Sequence, residues 1–269
     1  MRRAGVLQWT LLRVGPLTAV LCAALCGSAH AAQTAKLDVG LSPERLGHGT
    51  TIKFTFSVAA TAGGVPSPLT RIELRYPKHF GLITSGLGLA SCTEQILSEL
   101  GAHGCPSRSL MGEGTATAEV PLADEVLQEQ ASTEIFMAPL GGENISIEFV
   151  VDGYSPIAAE LIFPGLLLPA NPPYGGDLSI PVPLLESFTN GPDVSVVRVS
   201  STIGPLGLTY YEHRRGKLVP YTPSGIVLPP RCPAGGFPFS ITLQFADSTS
   251  ATSDTTVPCP HAARRRRVA

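Results

Sequence analysis

The residues between Cys232 and Cys259 carry the pattern that recurs along this chain. Phe237, Phe239, Ile241, Leu243 and Phe245 fall on every second position, with Ser240, Thr242 and Gln244 between the last four. A period of two puts alternate side chains on opposite faces of an extended segment, so the stretch predicts a strand buried on one face. Asp247-Ser248-Thr249-Ser250 supplies turn chemistry, and the Thr-rich run from Ala251 to Val257 predicts the return strand of a hairpin.

Alternating or β-branched runs recur at Lys36–Leu41, Thr51–Val58, Thr70–Tyr76, Gly114–Val120, Thr133–Met137, Ile145–Val151, Ile157–Phe163, Leu178–Pro183 and Val194–Ser200. Two more precede the last hairpin, Leu206–Glu212 and Lys217–Tyr221. Turn clusters such as Ala62-Gly63-Gly64, Asp152-Gly153 and Asn190-Gly191-Pro192-Asp193 separate them. Many short strands between Gly- and Pro-rich turns predict an all-β fold, an antiparallel β-sandwich of jelly-roll or Ig-like type. No fixed-period repeat is visible, which argues against a solenoid or propeller.

One short helix is expected. Ser91 and Glu94 have capping-box spacing, Ile96, Leu97 and Leu100 form an apolar stripe, and Gly101 ends it. The lead-in from Phe80 to Leu89 is too irregular to assign. Asp124 to Gln130 reads as a polar loop or short helix. Ala170-Asn171-Pro172-Pro173-Tyr174-Gly175-Gly176 is either a divide between two sandwiches or a crossing loop; one continuous β-unit over residues 32–260 is the expectation.

Composition then adds the compartment. Arg2 and Arg3 precede an apolar run that ends in Ala29-His30-Ala31, the layout of a secretory signal peptide cleaved after Ala31. No later segment has the length and apolarity to span a membrane as a helix. Cys22 and Cys26 leave with that peptide; Cys92, Cys105, Cys232 and Cys259 remain. An even number of cysteines in an exported chain points to disulfides. Sequence proximity favours Cys92–Cys105, stapling the helix to its exit loop, and Cys232–Cys259, closing the hairpin. A crossed pairing needs the helix loop to pack on the C-terminal hairpin.

Of 19 Lys and Arg, three precede residue 32 and four form Arg264 to Arg267, leaving 12 against 21 Asp and Glu, a net charge of −9 for the body. An acidic body argues against nucleic-acid partners. The arginines of residues 261–269 read as a basic disordered tail.

Ser201-Thr202-Ile203-Gly204-Pro205-Leu206-Gly207-Leu208-Thr209-Tyr210-Tyr211, Cys232-Pro233-Ala234-Gly235-Gly236-Phe237-Pro238-Phe239, Val257-Pro258-Cys259-Pro260 and Gly104-Cys105-Pro106 together resemble a family of secreted, functionally uncharacterised actinobacterial proteins. The resemblance runs along most of the chain after the signal peptide. It implies an exported, disulfide-bonded β-protein and brings no catalytic residues. Ser248 stands where the family pattern usually has glycine, which puts a tight primed turn there in doubt.

The motifs of common chemistries are missing. No Gly-x-Ser-x-Gly elbow, His-Glu-x-x-His, Walker loop or dinucleotide fingerprint occurs. His48, His79, His103 and His213 are scattered, so neither a catalytic residue nor a cofactor or metal ligand is assigned. Glu113, Glu119, Asp124, Glu125, Glu129 and Glu134 cluster in sequence, and paired carboxylates serve glycoside hydrolysis. Glu119, however, shares a strand face with Thr115 and Thr117, the look of a solvated face. Tyr154, Tyr174, Tyr210 and Tyr211 fall in or beside loops and hairpin ends, where a rigid aromatic face suits sugar or protein contacts. They are the candidate ligand contacts. The reading is an exported, non-enzymatic β-protein that binds a glycan or protein partner at or near the cell envelope. The alternatives are a carbohydrate-active enzyme and a structural envelope subunit.

Overall fold

The alternating runs become strands, and nearly all of the strands join one sheet. The computed structural model describes residues 32–122, 124–155 and 158–260. The expected signal peptide and the arginine tail lie outside the described residues. In chain order the elements are β1 (Gln33–Ser42), β2 (Gly49–Ala60), β3 (Leu69–Pro77), α1 (Glu94–Leu100), β4 (Leu110–Pro121), β5 (Val126–Met137), β6 (Ile145–Ser155) and β7 (Ala159–Pro169). Then follow β8 (Tyr174–Pro181), β9 (Ser195–Ile203), β10 (Tyr210–Arg214), β11 (Lys217–Tyr221), β12 (Ile226–Val227), β13 (Phe237–Phe245) and β14 (Ser250–Val257). The fold is all-β and antiparallel, with one short disulfide-stapled helix.

The sheet runs β1-β2-β9-β4-β5-β6-β7-β8-β3-β13-β14, with β12 added beside β2. A meander from β4 to β8 is flanked by β9 on one side and β3 on the other. Every neighbour is antiparallel, and the path has an odd number of strands, so β1 and β14 point the same way. They meet: the Leu37 N–H donates to Ser253 Oγ at 3.1 Å, and Gln33 Nε2 donates to Asp247 Oδ2 at 2.9 Å. The sheet is therefore bent back on itself and nearly closed, with its halves facing across one core. β10 and β11 form a separate hairpin.

Both disulfides follow the local pairing, with Cα atoms 5.4 Å apart for Cys92–Cys105 and 5.8 Å for Cys232–Cys259. Those separations fit ordinary bridge geometry without moving a strand. The helix lies on the outer face of the meander, where Cys92 and Leu97 pack against Phe136 and Val150. Its cap is Thr93, not Ser91: the Thr93 hydroxyl accepts from the Ile96 N–H at 3.2 Å.

One expectation is corrected. Residues 126–130, expected in a polar loop or helix, open the long strand β5. The candidate divide at 170–176 is the hairpin between β7 and β8, which pair from Leu166↔Ser179 to Pro169↔Gly176. The chain at Ser248 does not make a tight primed turn but a longer, three-residue one. Ser248 takes φ 67°, and Asp247 Oδ1 accepts from the Thr249 N–H and hydroxyl, holding a three-residue turn with a left-handed last position.

Candidate functional site

Register fixes which side chains face inward, because each paired position keeps its side on the next strand. From Ile241 and Leu243 on β13, the ladders carry the inner face to Leu74 and Ile72 on β3, then to Leu178 and Ile180 on β8. It continues through Phe163 and Leu161 on β7 to Phe149 and Val151 on β6, and to Thr133 and Ala131 on β5. From there it reaches Gly114, Ala116 and Ala118 on β4, then Ser201 and Val199 on β9, and finally Phe54 and Phe56 on β2.

The inner face is bulky on one half of the sheet and small on the other. Leu37, Phe56, Phe237, Ile241, Leu243 and Phe245 are buried to 3% exposure or less and fill the half around β1, β2, β13 and β14. The meander strands and β4 instead present Gly114, Ala116, Ala118, Ala131, Gly153 and Ala159 at inward positions. Side chains this small do not meet those of the opposite wall. Leu161, Phe163, Val151 and Val199 consequently face inward yet stay only half-buried.

The result is a hollow in three chambers. The first, about 140 Å³, lies at the end where β5 and β9 begin and is bounded by Ala118, Ala131, Leu161 and the 182–196 segment. The second, about 110 Å³, lies at mid-sheet between Phe54, Phe149, Phe163 and Ile241. The third, about 70 Å³, lies at the far end among Phe80, Leu82, Met111 and Ile226, and shares Tyr76, Phe80, Leu82 and Leu167 with a surface hollow that reaches the exposed Ile83. The first two share Leu69, Ala116, Val151, Leu161, Val182 and Val196 as walls, and the second and third share Phe54, Leu74 and Leu178. The chambers therefore form a row. Among the described residues, Glu129 and Glu186 are the charged side chains lining these chambers, and both are in the first. This is the concave, mostly apolar arrangement of a small-molecule site.

The candidate tyrosines do not converge. Tyr154 is 61% exposed at the end of β6, next to Gly153 in the wall of the first chamber. Tyr174 is half-buried at the start of β8, at the opposite end. Tyr211 is exposed on β10. Tyr210, expected at an exposed hairpin end, is completely buried instead. Its hydroxyl donates to the Leu110 carbonyl and accepts from the Gly88 N–H at 3.3 Å, and its ring meets Tyr221 edge to face. Burial pushes its phenol above the ordinary tyrosine range.

The acidic residues divide by face. Glu113 and Glu134 are cross-strand neighbours on the outer face, and burial with Asp152 and Glu113 nearby raises the Glu134 carboxyl. Glu148 also points outward, beneath α1, at 7% exposure. Burial and the Glu94 carboxylate push it up to about 7. Glu129 alone of the cluster turns inward, opposite Ala118. Among the described residues, no three His, Cys, Asp or Glu side chains gather where they could hold a metal ion, and no helix is long and apolar enough to cross a membrane.

Sequence reasoning missed the interior. The available signal was the run of Gly and Ala at alternate positions, Gly114-x-Ala116-x-Ala118, facing Ala131 on the next strand. No family model, curated protein or solved structure matches this chain.

Proposed function

We propose that this is an exported, non-enzymatic binding protein that acts at or near the cell envelope and holds an apolar small molecule inside its sheet. It is grouped, on the same reading, with the secreted actinobacterial proteins its segments resemble. One observation carries the reading. The inward side chains of β4 to β7 leave three apolar chambers in a row where a packed core would otherwise stand. Interiors of this kind are normally close-packed, and unfilled volume costs about 24 cal/mol per Å³. A void with apolar walls is tolerated where something apolar fills it. The two disulfides suit a protein working outside the cytoplasm, where they persist.

Titration with an environment-sensitive naphthylamine dye tests this. Saturable binding with blue-shifted emission is expected, and Ala116→Leu, at the wall shared by the first two chambers, is expected to abolish it while leaving the protein folded. Absence of saturable binding, or binding that Ala116→Leu leaves unchanged, overturns the proposal.

A further inference from the structure

Another hollow opens on the surface where β3 and β14 finish and β8 and β13 begin, and it shares no lining residue with the three chambers. Its volume, about 540 Å³, is that of a small-molecule cleft. The chain builds it stiffly. Pro77, Pro173, Pro229, Pro233 and Pro238 stand in its wall, each with φ fixed by its ring. Cys232, also in the wall, is tied to Cys259. The β7–β8 turn presses on the Lys78 backbone, so closely that a Cβ on Gly175 would stand 2.7 Å from Lys78 Cα. A wall held in this way has little freedom left to lose when a ligand binds.

Charge sets the occupant. Lys78, His79 and Arg231 line this hollow, and no Asp or Glu does. Between residues 32 and 260 the chain carries 12 Lys and Arg against 21 Asp and Glu, so a hollow lined by cations alone runs against the composition around it. Lys36, Arg75 and Arg214 sit in ion pairs. Lys78 and Arg231 are exposed, and neither pairs with a carboxylate among the described residues. A concave surface of one sign draws in ligands of the other.

Two full positive charges match the roughly −1.5 to −2 of a phosphate monoester at neutral pH, whereas a carboxylate answers only one of them. Arg231 offers a planar fork to two phosphate oxygens, Lys78 a point charge and His79 a ring N–H. A phosphate ion alone leaves most of the space empty. The proline rings and Ala234 give the remainder an apolar side on which an organic body can rest.

We propose that this hollow binds a phosphate monoester carried on a small organic body, with Lys78, Arg231 and His79 on the phosphate and the proline wall against the body. The site is separate from the apolar interior, and each reading stands or falls without the other.

Calorimetric titration of the full chain, disulfides intact, with glucose 6-phosphate, glucose and inorganic phosphate at pH 7.5 tests this. Glucose 6-phosphate is expected to bind saturably, at least about tenfold more tightly than glucose or inorganic phosphate. Lys78→Gln and Arg231→Gln, both at exposed positions, are each expected to weaken it about three- to tenfold. Lys217→Gln, at an exposed cation on β11 outside the hollow, is expected to change nothing. Arg264 to Arg267 are present in every variant, so their contribution cancels. Phosphatidylcholine vesicles with and without phosphatidic acid distinguish the source of the phosphate. Retention that needs phosphatidic acid and is lost in Arg231→Gln assigns it to a lipid headgroup; binding of glucose 6-phosphate without such retention assigns it to a soluble ester. Absence of both overturns the proposal, as does binding that Lys78→Gln and Arg231→Gln leave unchanged. Inorganic phosphate binding as tightly as glucose 6-phosphate overturns the role given to the organic body.

Discussion

Glu148→Gln separates burial from ordinary surface chemistry. Glu148 stands on the outer face of β6, covered by α1, with Oε2 making no hydrogen bond, and Glu94 opens the helix above it. Both burial and Glu94 disfavour the carboxylate, so the folded protein holds this proton up to about pH 7, against an ordinary value of 4.5. The folded state then binds more protons than the unfolded state between those limits, and stability falls as pH rises. The contribution is fully present below pH 4.5, is lost as pH rises to about 7, and is flat above. At 1.36 kcal/mol per unit the whole interval is about 3 kcal/mol for a sealed group, and water around so short a helix reduces it to about 1–2 kcal/mol. Urea denaturation followed from pH 4 to pH 8 for both proteins isolates this group, because all others cancel in the difference. Relative to the native chain, Glu148→Gln is expected to gain about 1–2 kcal/mol across that range. A difference that stays constant with pH, or a variant less stable at pH 8 than at pH 4 by the native amount, refutes the reasoning.

Three further outcomes are expected. Tyr210→Phe leaves the Leu110 carbonyl and the Gly88 N–H without their partner in a fully buried site, so denaturation should show a loss of about 1–3 kcal/mol. Replacing Cys92 and Cys105 together by serine opens a loop spanning 13 residues in sequence and should cost about 3 kcal/mol on the chain-entropy account, read as a lowered melting temperature with exchange protection lost first in α1. Ala131→Val adds two carbons at the wall of the first chamber; it should stabilise the protein by about 1 kcal/mol in calorimetry while weakening dye binding, since the void it fills is the site.

What could be read in advance depended on whether one local signal sufficed. The β13–β14 hairpin was legible because Phe237 to Phe245 alternate without interruption, and both disulfides because each bridges its own local loop. The start of β5 was not, since Gln128, Glu129 and Gln130 are polar on both faces of the strand and erase the period. The residue that broke the pattern is Glu129, the inward carboxylate of the first chamber, so the local rule failed at the candidate site. Tyr210 was misplaced because a tyrosine beside a hairpin looks the same whether its ring turns out or in; its burial depends on Leu110 and Gly88, about a hundred residues away or more. The insertion of β9 between β2 and β4 is equally non-local. The hollow needs the registers of β4 on β5 and of β5 on β6 before Ala116, Ala131 and Gly153 can be seen to share a wall.

Closure and hollowness are two sides of one arrangement. Eleven strands on an antiparallel path bring β1 and β14 together pointing the same way, and the two do not form a backbone ladder. Two bare edges are a liability that the chain manages by covering each with the other and spending side chains on the seam, Ser253 on the Leu37 N–H and Asp247 on Gln33. That seam needs apolar packing to hold it, and Leu37, Leu243 and Phe245 supply it from within. The opposite wall has no such need. Strands β4 to β7 are 11 or 12 residues long, about twice the usual length; β4, β5 and β6 are paired along most of their length on both sides, whereas β7 pairs β8 only from Leu166 to Pro169. Ladder hydrogen bonds of that extent keep the wall in place without side chains reaching across, so Gly and Ala are tolerated at its inner face. The packed half secures the closure, and the laddered half can be left open to hold a ligand.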